Sequence, residues 1–332
     1  MEENKQIDFL SIGDIATEPF IKIKEAEEKC DPDGNYCKLC LDYGGKIPYE
    51  SNEVCHAVGN SSNVSIALSR LGMNSYLASY VGDDVTGSDN IKQLKIENVK
   101  TDYLNVIKGL ESNYHYVLWY GAERTILVRH TEFPYSFSLD TPEPKWIYLS
   151  SLASNSLDYH KTIGEYLNKH PNVSLAFQPG TFQIKFGIGP LSDIYRNTKV
   201  LFCNHEEAEK ILNTKEKDIP KLIKMMHKLG PKIVVITDGE NGSYSYDGDV
   251  ILFMKAFYHK PIETTGAGDS FSGAFIAALF LDYSISDAMI WGAVNSSSVV
   301  SYVGPHKGLL NRKQIEEFIK DISPEDKPII LF

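Results

Sequence analysis

The densest group of reactive residue types in the chain is Glu263-Thr264-Thr265-Gly266-Ala267-Gly268-Asp269-Ser270-Phe271-Ser272-Gly273, followed by the apolar run Ala274 to Leu281. Gly266, Ala267 and Gly268 form a turn in which no bulky side chain blocks a ligand from the backbone. Beyond it, Phe271, Phe275, Ala278 and Leu279 recur at three- and four-residue spacing, the period of a helix with one apolar face. A glycine turn that opens a helix leaves N–H groups unpaired at the positive end of the helix dipole. Such an end binds anions, phosphate above all. Asp269 is the odd member, because a carboxylate repels phosphate. As a general base it has a role: it takes a proton from a hydroxyl while the N–H groups of Gly266, Ala267 and Gly268 stabilise charge on a phosphoryl group in transfer. The same residue types also suit an ordinary helix N-cap.

Residue order separates these readings. Glu263 to Asp269 resembles the D-T-x-G-A-G-D signature of the ribokinase-like (PfkB-type) carbohydrate and nucleoside kinases, with Glu263 where the family has Asp. Further matches follow the family's order along nearly the whole chain. Asp14, after the first strand, falls where the family binds sugar hydroxyls. Val58-Gly59-Asn60 to Asn63 resembles its G-G-x-x-x-N run, with Val58 in place of the first glycine, and makes Gly59, Asn60 and Asn63 candidate acceptor contacts. Gly82 to Gly87 resembles its G-x-D-x-x-G turn. Asn204 and Glu207 match N-x-x-E, which implies a magnesium held largely through water. Thr237, Gly239 and Gly242 match the nucleotide loop T-x-G-x-x-G; Thr265 and Asn295 fall where ATP is bound, Asn295 facing the adenine.

The resemblance implies an α/β fold: a three-layer α/β/α domain with a mostly parallel central sheet and a small β-sheet lid. Residues 1–14, 58–110 and 134–332 would form the core, and 15–57 and 111–133 the lid. The expected reaction moves the γ-phosphoryl group of ATP to a primary hydroxyl of a ribose-like or hexose sugar. A nucleoside acceptor, or a sugar or nucleotide sensor without turnover, are the alternatives. Magnesium is expected, potassium is possible with Glu263 leaving it open, and a homodimer paired through the lid is expected.

The elements that must position these residues are legible to different degrees. From Lys145 onward strands alternate with helices, and Ile233-Val234-Val235-Ile236 is apolar on every residue, as in a parallel sheet covered on both faces. Asn113 to Tyr120 and Thr125 to His130 read as a hairpin around Gly121-Ala122-Glu123-Arg124. Its Tyr114, Tyr116, Trp119 and Tyr120 suit either cover over a substrate or sheet packing, and Arg129 is its candidate substrate charge. Trp119 and Ile126 are the residues expected to face a second subunit. Gln178-Pro179-Gly180 lies just past a strand, near the cleft.

Bulk properties narrow the class. The 332 residues suit one large α/β domain with an appendage, or two modest domains. A net charge of −11 argues against a nucleic-acid surface. The opening MEENKQIDFLSIGD lacks the apolar stretch of a signal peptide and no run is long enough to span a bilayer, so a cytoplasmic protein is expected. Cys30, Cys37 and Cys40, with Cys55 or His56, offer a zinc set lacking a second C-x2-C; reduced, unliganded cysteines are the other expectation.

Overall fold

The computed structural model describes residues 6–31, 37–121, 123–137, 142–257 and 261–331. A ten-stranded sheet runs, edge to edge, through Ile329–Ile330, Ile251–Met254, Ser243–Tyr246, Ile233–Thr237, Thr198–Asn204, Ser174–Phe177, Trp146–Leu149, Phe9–Ile12, Ser75–Gly82 and Leu104–Ile107. From Ile233–Thr237 to Leu104–Ile107 neighbouring strands are parallel; the first three are antiparallel.

Strand alternation divides the core in two. Leu10, Ile12, Ile147, Leu149, Leu175, Phe177, Leu201, Val234 and Ile236 pack on one face, against helices Leu157–Lys169, His205–Leu212 and Ile219–His227. Phe9, Trp146, Tyr148, Ala176, Val200, Phe202, Ile233 and Val235 pack on the other, against Asn60–Arg70, Ala267–Phe280 and Ile285–Val299. Both faces need apolar cover, which is why these strands read as unbroken hydrophobic runs. The result is the expected three-layer α/β/α domain. No helix among the described residues is long and apolar enough to cross a membrane.

A second, five-stranded sheet joins Ala16–Ile23, Tyr49–Val58, Asn113–Tyr114, Tyr116–Tyr120 and Glu123–Leu127. Its hairpin is tighter than its sequence suggests: Glu123 pairs with Tyr120 and Arg124 with Trp119, so the second strand starts two residues early. This register sets the faces. Val117 and Trp119 are buried and share the inner face with Phe20, Arg124 and Ile126, whereas Tyr116, Leu118 and Leu127 point outward. Of the two residues expected to face a second subunit, Trp119 is buried and Ile126 is exposed.

The cysteines also correct an expectation. Cys30 and Cys37 face each other across a small exposed hairpin, Glu27–Cys30 with Cys37–Cys40, and are joined in a disulfide. Cys40 pairs with Glu27 at the other end of that ladder, and Cys55 lies in the five-stranded sheet against Gly304. Two of the four expected zinc ligands are thus oxidised and a third is elsewhere. Neither the zinc set nor a fully reduced set describes this arrangement.

Candidate active site

Parallel strands end on the same rim, so one sheet edge collects residues far apart in sequence. Asp14 follows Phe9–Ile12, Gln178 follows Ser174–Phe177, and Asn204 and Thr237 close their own strands. Against this rim stands the start of Ala267–Phe280, capped by Gly266 at φ 80°. A Cβ on Gly266 would lie 2.5 Å from Pro305 Cβ, so glycine is required both for its dihedral and for space. Gly268 has no such neighbour; a Cβ there would meet only Gln178 Nε2, at 3.9 Å, which leaves its backbone open to the cleft. The N–H of Ala267 turns back 3.3 Å onto Thr264 O, so it is the least available of the three expected anion-binding donors.

Asp269, in the first turn of that helix, is buried and held by three side-chain amides. Asn60 Nδ2 and Gln178 Nε2 donate to Oδ1 at 2.8 and 3.0 Å, and Asn63 Nδ2 donates to Oδ2 at 2.7 Å. Each relevant amide is oriented in turn or stands on a fixed helix. Tyr148 Oη donates to Gln178 Oε1 at 2.9 Å, which turns Gln178 Nε2 toward Asp269. Asn63 Oδ1 lies 2.9 Å from His306 Nε2 and must accept, so His306 carries its proton on Nε2. Burial pushes His306 down to about 4, so the ring is neutral near pH 7. Asn60 is the first residue of Asn60–Arg70, a contact rather than the cap, which is Gly59. Burial raises the Asp269 carboxyl above the usual carboxylate range, against the lowering effect of the three amides; the charge of Glu18 adds to the rise.

Gly59 explains how the helix start reaches Asp14: its φ is 133°, and a Cβ would come within 2.4 Å of Asp14 O. Tyr135 Oη lies 2.8 Å from both Asp14 oxygens. Burial pushes the Asp14 carboxyl up to about 7, with the Tyr135 hydrogen bond opposing it. Glu263, the family's Asp position, is buried and accepts from Thr265 N at 2.7 Å and Thr265 Oγ1 at 2.6 Å. Arg124 reaches across from the second sheet, with Nε 3.6 Å from Glu263 Oε1 and Nη1 2.5 Å from Thr264 Oγ1.

Other expected site residues stand apart. Arg129 is largely exposed and pairs with Glu111, so it brings no charge to Asp14 or Asp269. Asn295 is fully buried; its Nδ2 donates to Ser270 O and its Oδ1 accepts from Leu310 N, both at 3.0 Å. It ties two helices and a loop together and does not present its amide to an adenine. Asn204 and Glu207 form a capping box, Glu207 N donating to Asn204 Oδ1 at 2.8 Å and Asn204 N to Glu207 Oε2 at 2.9 Å. Glu207 is also raised, first by burial and, further, by the charge of Asp269. Thr237 ends its strand, and Gly239 and Gly242 both have positive φ, 55° and 106°.

Gln178, Tyr148 and His306 were not expected at the site. Gln178 was legible only as a residue near the cleft, and the other two act through partners remote in sequence, with no local signature.

The family model for pfkB family carbohydrate kinases matches residues 29–311. The chain belongs to this family, and it is an enzyme, a carbohydrate kinase. It is similar to the ribokinase of Bacillus subtilis (strain 168), 26% identical over 268 residues that cover 79% of this chain and 87% of the relative. It is also similar to the ATP-dependent 6-phosphofructokinase of Thermoanaerobacterium thermosaccharolyticum, 22% identical over 278 residues covering 80% of this chain and 85% of the relative. In fold it resembles Arabidopsis thaliana ribokinase complexed with ribose and ATP, with a TM-score of 0.78, 18% identity, and coverage of 96% of this chain and all of that one (100%).

Proposed function

We propose that this kinase moves the γ-phosphoryl group of ATP to a primary hydroxyl of a ribose-like or hexose sugar, with Asp269 as the general base. The observation that carries the reading is the Asp269 carboxyl, clamped by three amides beside the N–H groups of Gly266 to Gly268. Burial raises its proton affinity, which suits a base that must accept a hydroxyl proton and keep it through the transfer. The hydroxyl proton goes to Asp269, the new O–P bond forms, and the bond to the leaving ADP oxygen breaks. The helix start stabilises charge on the phosphoryl oxygens throughout.

Asp14 binds acceptor hydroxyls, and Thr237, Gly239, Gly242 and Thr265 line the nucleotide side. Magnesium fits the floor of the cleft: after burial, the charge of Asp269 raises the proton affinity of Glu207, and a divalent cation relieves such like-charge crowding. Asn204 and Glu207 would hold it, largely through water, and it would neutralise phosphate charge. The five-stranded sheet acts as a lid that excludes water during transfer, which limits ATP hydrolysis.

A coupled assay of ADP release with magnesium and a panel of sugars and nucleosides tests this reading. ADP production above the ATP-only blank with at least one acceptor is expected. A flat response across the panel, with folded protein, removes the kinase assignment for this chain's own activity.

A further inference from the structure

Arg124 crosses from the five-stranded sheet to the residues just ahead of the glycine turn. It lies on Glu123–Leu127, opposite Trp119, and its side chain is 28% exposed. Nη1 donates to Thr264 Oγ1 at 2.5 Å, and Nε stands 3.6 Å from Glu263 Oε1. The second contact is an ion pair and not a hydrogen bond, so the buried Nε has no hydrogen-bond partner among the described residues.

The residues that Arg124 meets lead directly into the turn. Glu263 is 2% exposed, and its Oε1 accepts from both the N–H and the hydroxyl of Thr265. Thr265 is followed by Gly266, the cap of the helix that carries Asp269. On its other side Glu263 is tied to the loop after Ile285–Val299. Ile262 N and Glu263 N donate to Val300 O at 2.8 and 3.4 Å, and Gly304 N donates to Glu263 Oε2 at 3.4 Å.

A carboxylate this buried needs a counter-charge. Among the described residues, Arg124 is the cationic side chain that pairs with it. The family resemblance allows another source, a potassium ion beside Glu263. Such an ion is held by oxygen lone pairs that replace its water. At Glu263 those lone pairs are already turned onto donors, from Thr265 N, Thr265 Oγ1 and Gly304 N. Thr264 Oγ1 is taken by Arg124 itself, and a second cation would stand against the guanidinium. The residues present therefore do not fit the ion.

We propose that Arg124 is the resident cation of Glu263 in place of a potassium ion. It is a positioning residue that holds Thr264 and Glu263 and, through Thr265, the start of the helix that carries Asp269. The charge then comes with the chain and not with the salt, so turnover is independent of the monovalent cation. The proposal rests on the kinase reading above for its kinetic arm, whereas melting curves test it without turnover.

The wild-type protein is assayed by ADP release, with magnesium and the best acceptor, in potassium, sodium and tetramethylammonium chloride at equal ionic strength. Across the three salts kcat should agree within about twofold, and melting temperatures within about 2 °C. Arg124→Ala should lower kcat about 100-fold, the cost of a small misplacement at the reacting centre, with KM for ATP little changed. Millimolar guanidinium chloride should raise that kcat about tenfold by refilling the seat, and sodium chloride at the same strength should not. Arg124→Ala combined with Glu263→Gln should be no worse than Glu263→Gln alone, because the two side chains act as one unit.

Potassium that raises wild-type kcat or melting temperature well above tetramethylammonium overturns the proposal, since a metal ion then holds the seat. So does an Arg124→Ala enzyme with wild-type kcat and a raised KM for ATP, which would make Arg124 a phosphate contact. A loss of kcat that guanidinium leaves untouched overturns it as well. If Arg124→Ala does not fold, the wild-type salt series decides alone. No ADP release with any acceptor, beside melting that ignores the cation, would sink the kinase reading and leave the pairing of Arg124 with Glu263 standing.

Discussion

Asp269 and Glu18 are equally buried, each 6% exposed, and the charge of one acts on the other, yet one is complete and the other is not. Both Asp269 oxygens are occupied by amide donors, and two of those amides are oriented by further residues, Tyr148 and His306. Glu18 has one oxygen on His115 and the other on nothing among the described residues. The difference marks the group that acts. A group that acts on every turnover gains from being fixed in advance, because positional error costs rate directly.

The largest expected effect breaks the completed side. Asp269→Asn keeps the shape and removes the proton acceptor, so turnover should fall about 10²–10⁴-fold, with little change in ATP affinity by equilibrium binding. One of the amides that now donate to Asp269 would face the new NH₂ group, so a modest loss of thermal stability should accompany the change. Turnover within tenfold of wild type would remove Asp269 from the base role.

The two sides were also unequally legible in the sequence. Asp269, its glycine turn and its helix are contiguous, so residue order alone exposed them. The paired strand ends came from the same source, because buried parallel strands such as Ile233–Thr237 leave a continuous apolar trace. The Glu18–His115 pair leaves none. Those residues are 97 apart and meet through strand pairing, and the alternation within the hairpin, which a two-residue difference in the turn leaves unchanged, does not say which of its faces is the inner one. His115 shares its parity with Val117 and Trp119, whose burial marks that face as the inner one. Ser243–Tyr246 and Ile251–Met254 were missed because short antiparallel strands at a sheet margin carry half-buried, mixed residues. Asn295 shows the opposite failure: a polar residue in a helix invites a ligand role, but here the backbone of Ser270 and Leu310 satisfies it.

Asp14 stands between the two cases, with Tyr135 on both oxygens and His130 just out of reach. Burial places its carboxyl at about 7, above the value of an unfolded chain. In that window the folded state binds more protons than the unfolded state. Stability from this group is therefore fully present below about pH 4 and is lost as pH rises toward about 7. Asn at this position removes the buried charge. Asp14→Asn should raise the unfolding free energy at pH 8 by on the order of 2 kcal/mol and change it little at pH 4, while weakening acceptor binding. Chemical denaturation at both pH values checks it. An equal shift at the two pH values would show that the carboxyl is not held up by burial.

The smallest expected effect on kinetics concerns the lid's two faces. The inner face, with Phe20, Val117 and Trp119, already has the kinase core to cover it. Tyr116, Leu127 and Val54 on the outer side are 46%, 53% and 43% exposed, an apolar surface on a small sheet that water covers poorly. If the chain forms a homodimer through its lid, this outer face is the one that pairs. Leu118→Glu combined with Leu127→Glu should then convert a dimer to a monomer on sizing chromatography at micromolar concentration, with acceptor KM within about twofold of wild type, since neither side chain reaches the cleft. Trp119→Ala should do the reverse, raising acceptor KM while leaving the assembly unchanged, because its ring lies under the sheet beside Arg124. A wild-type monomer at that concentration ends the pairing claim. A Trp119→Ala protein that dissociates without a change in KM would mean that the faces are assigned the wrong way round, and the inner position of His115 would fall with them.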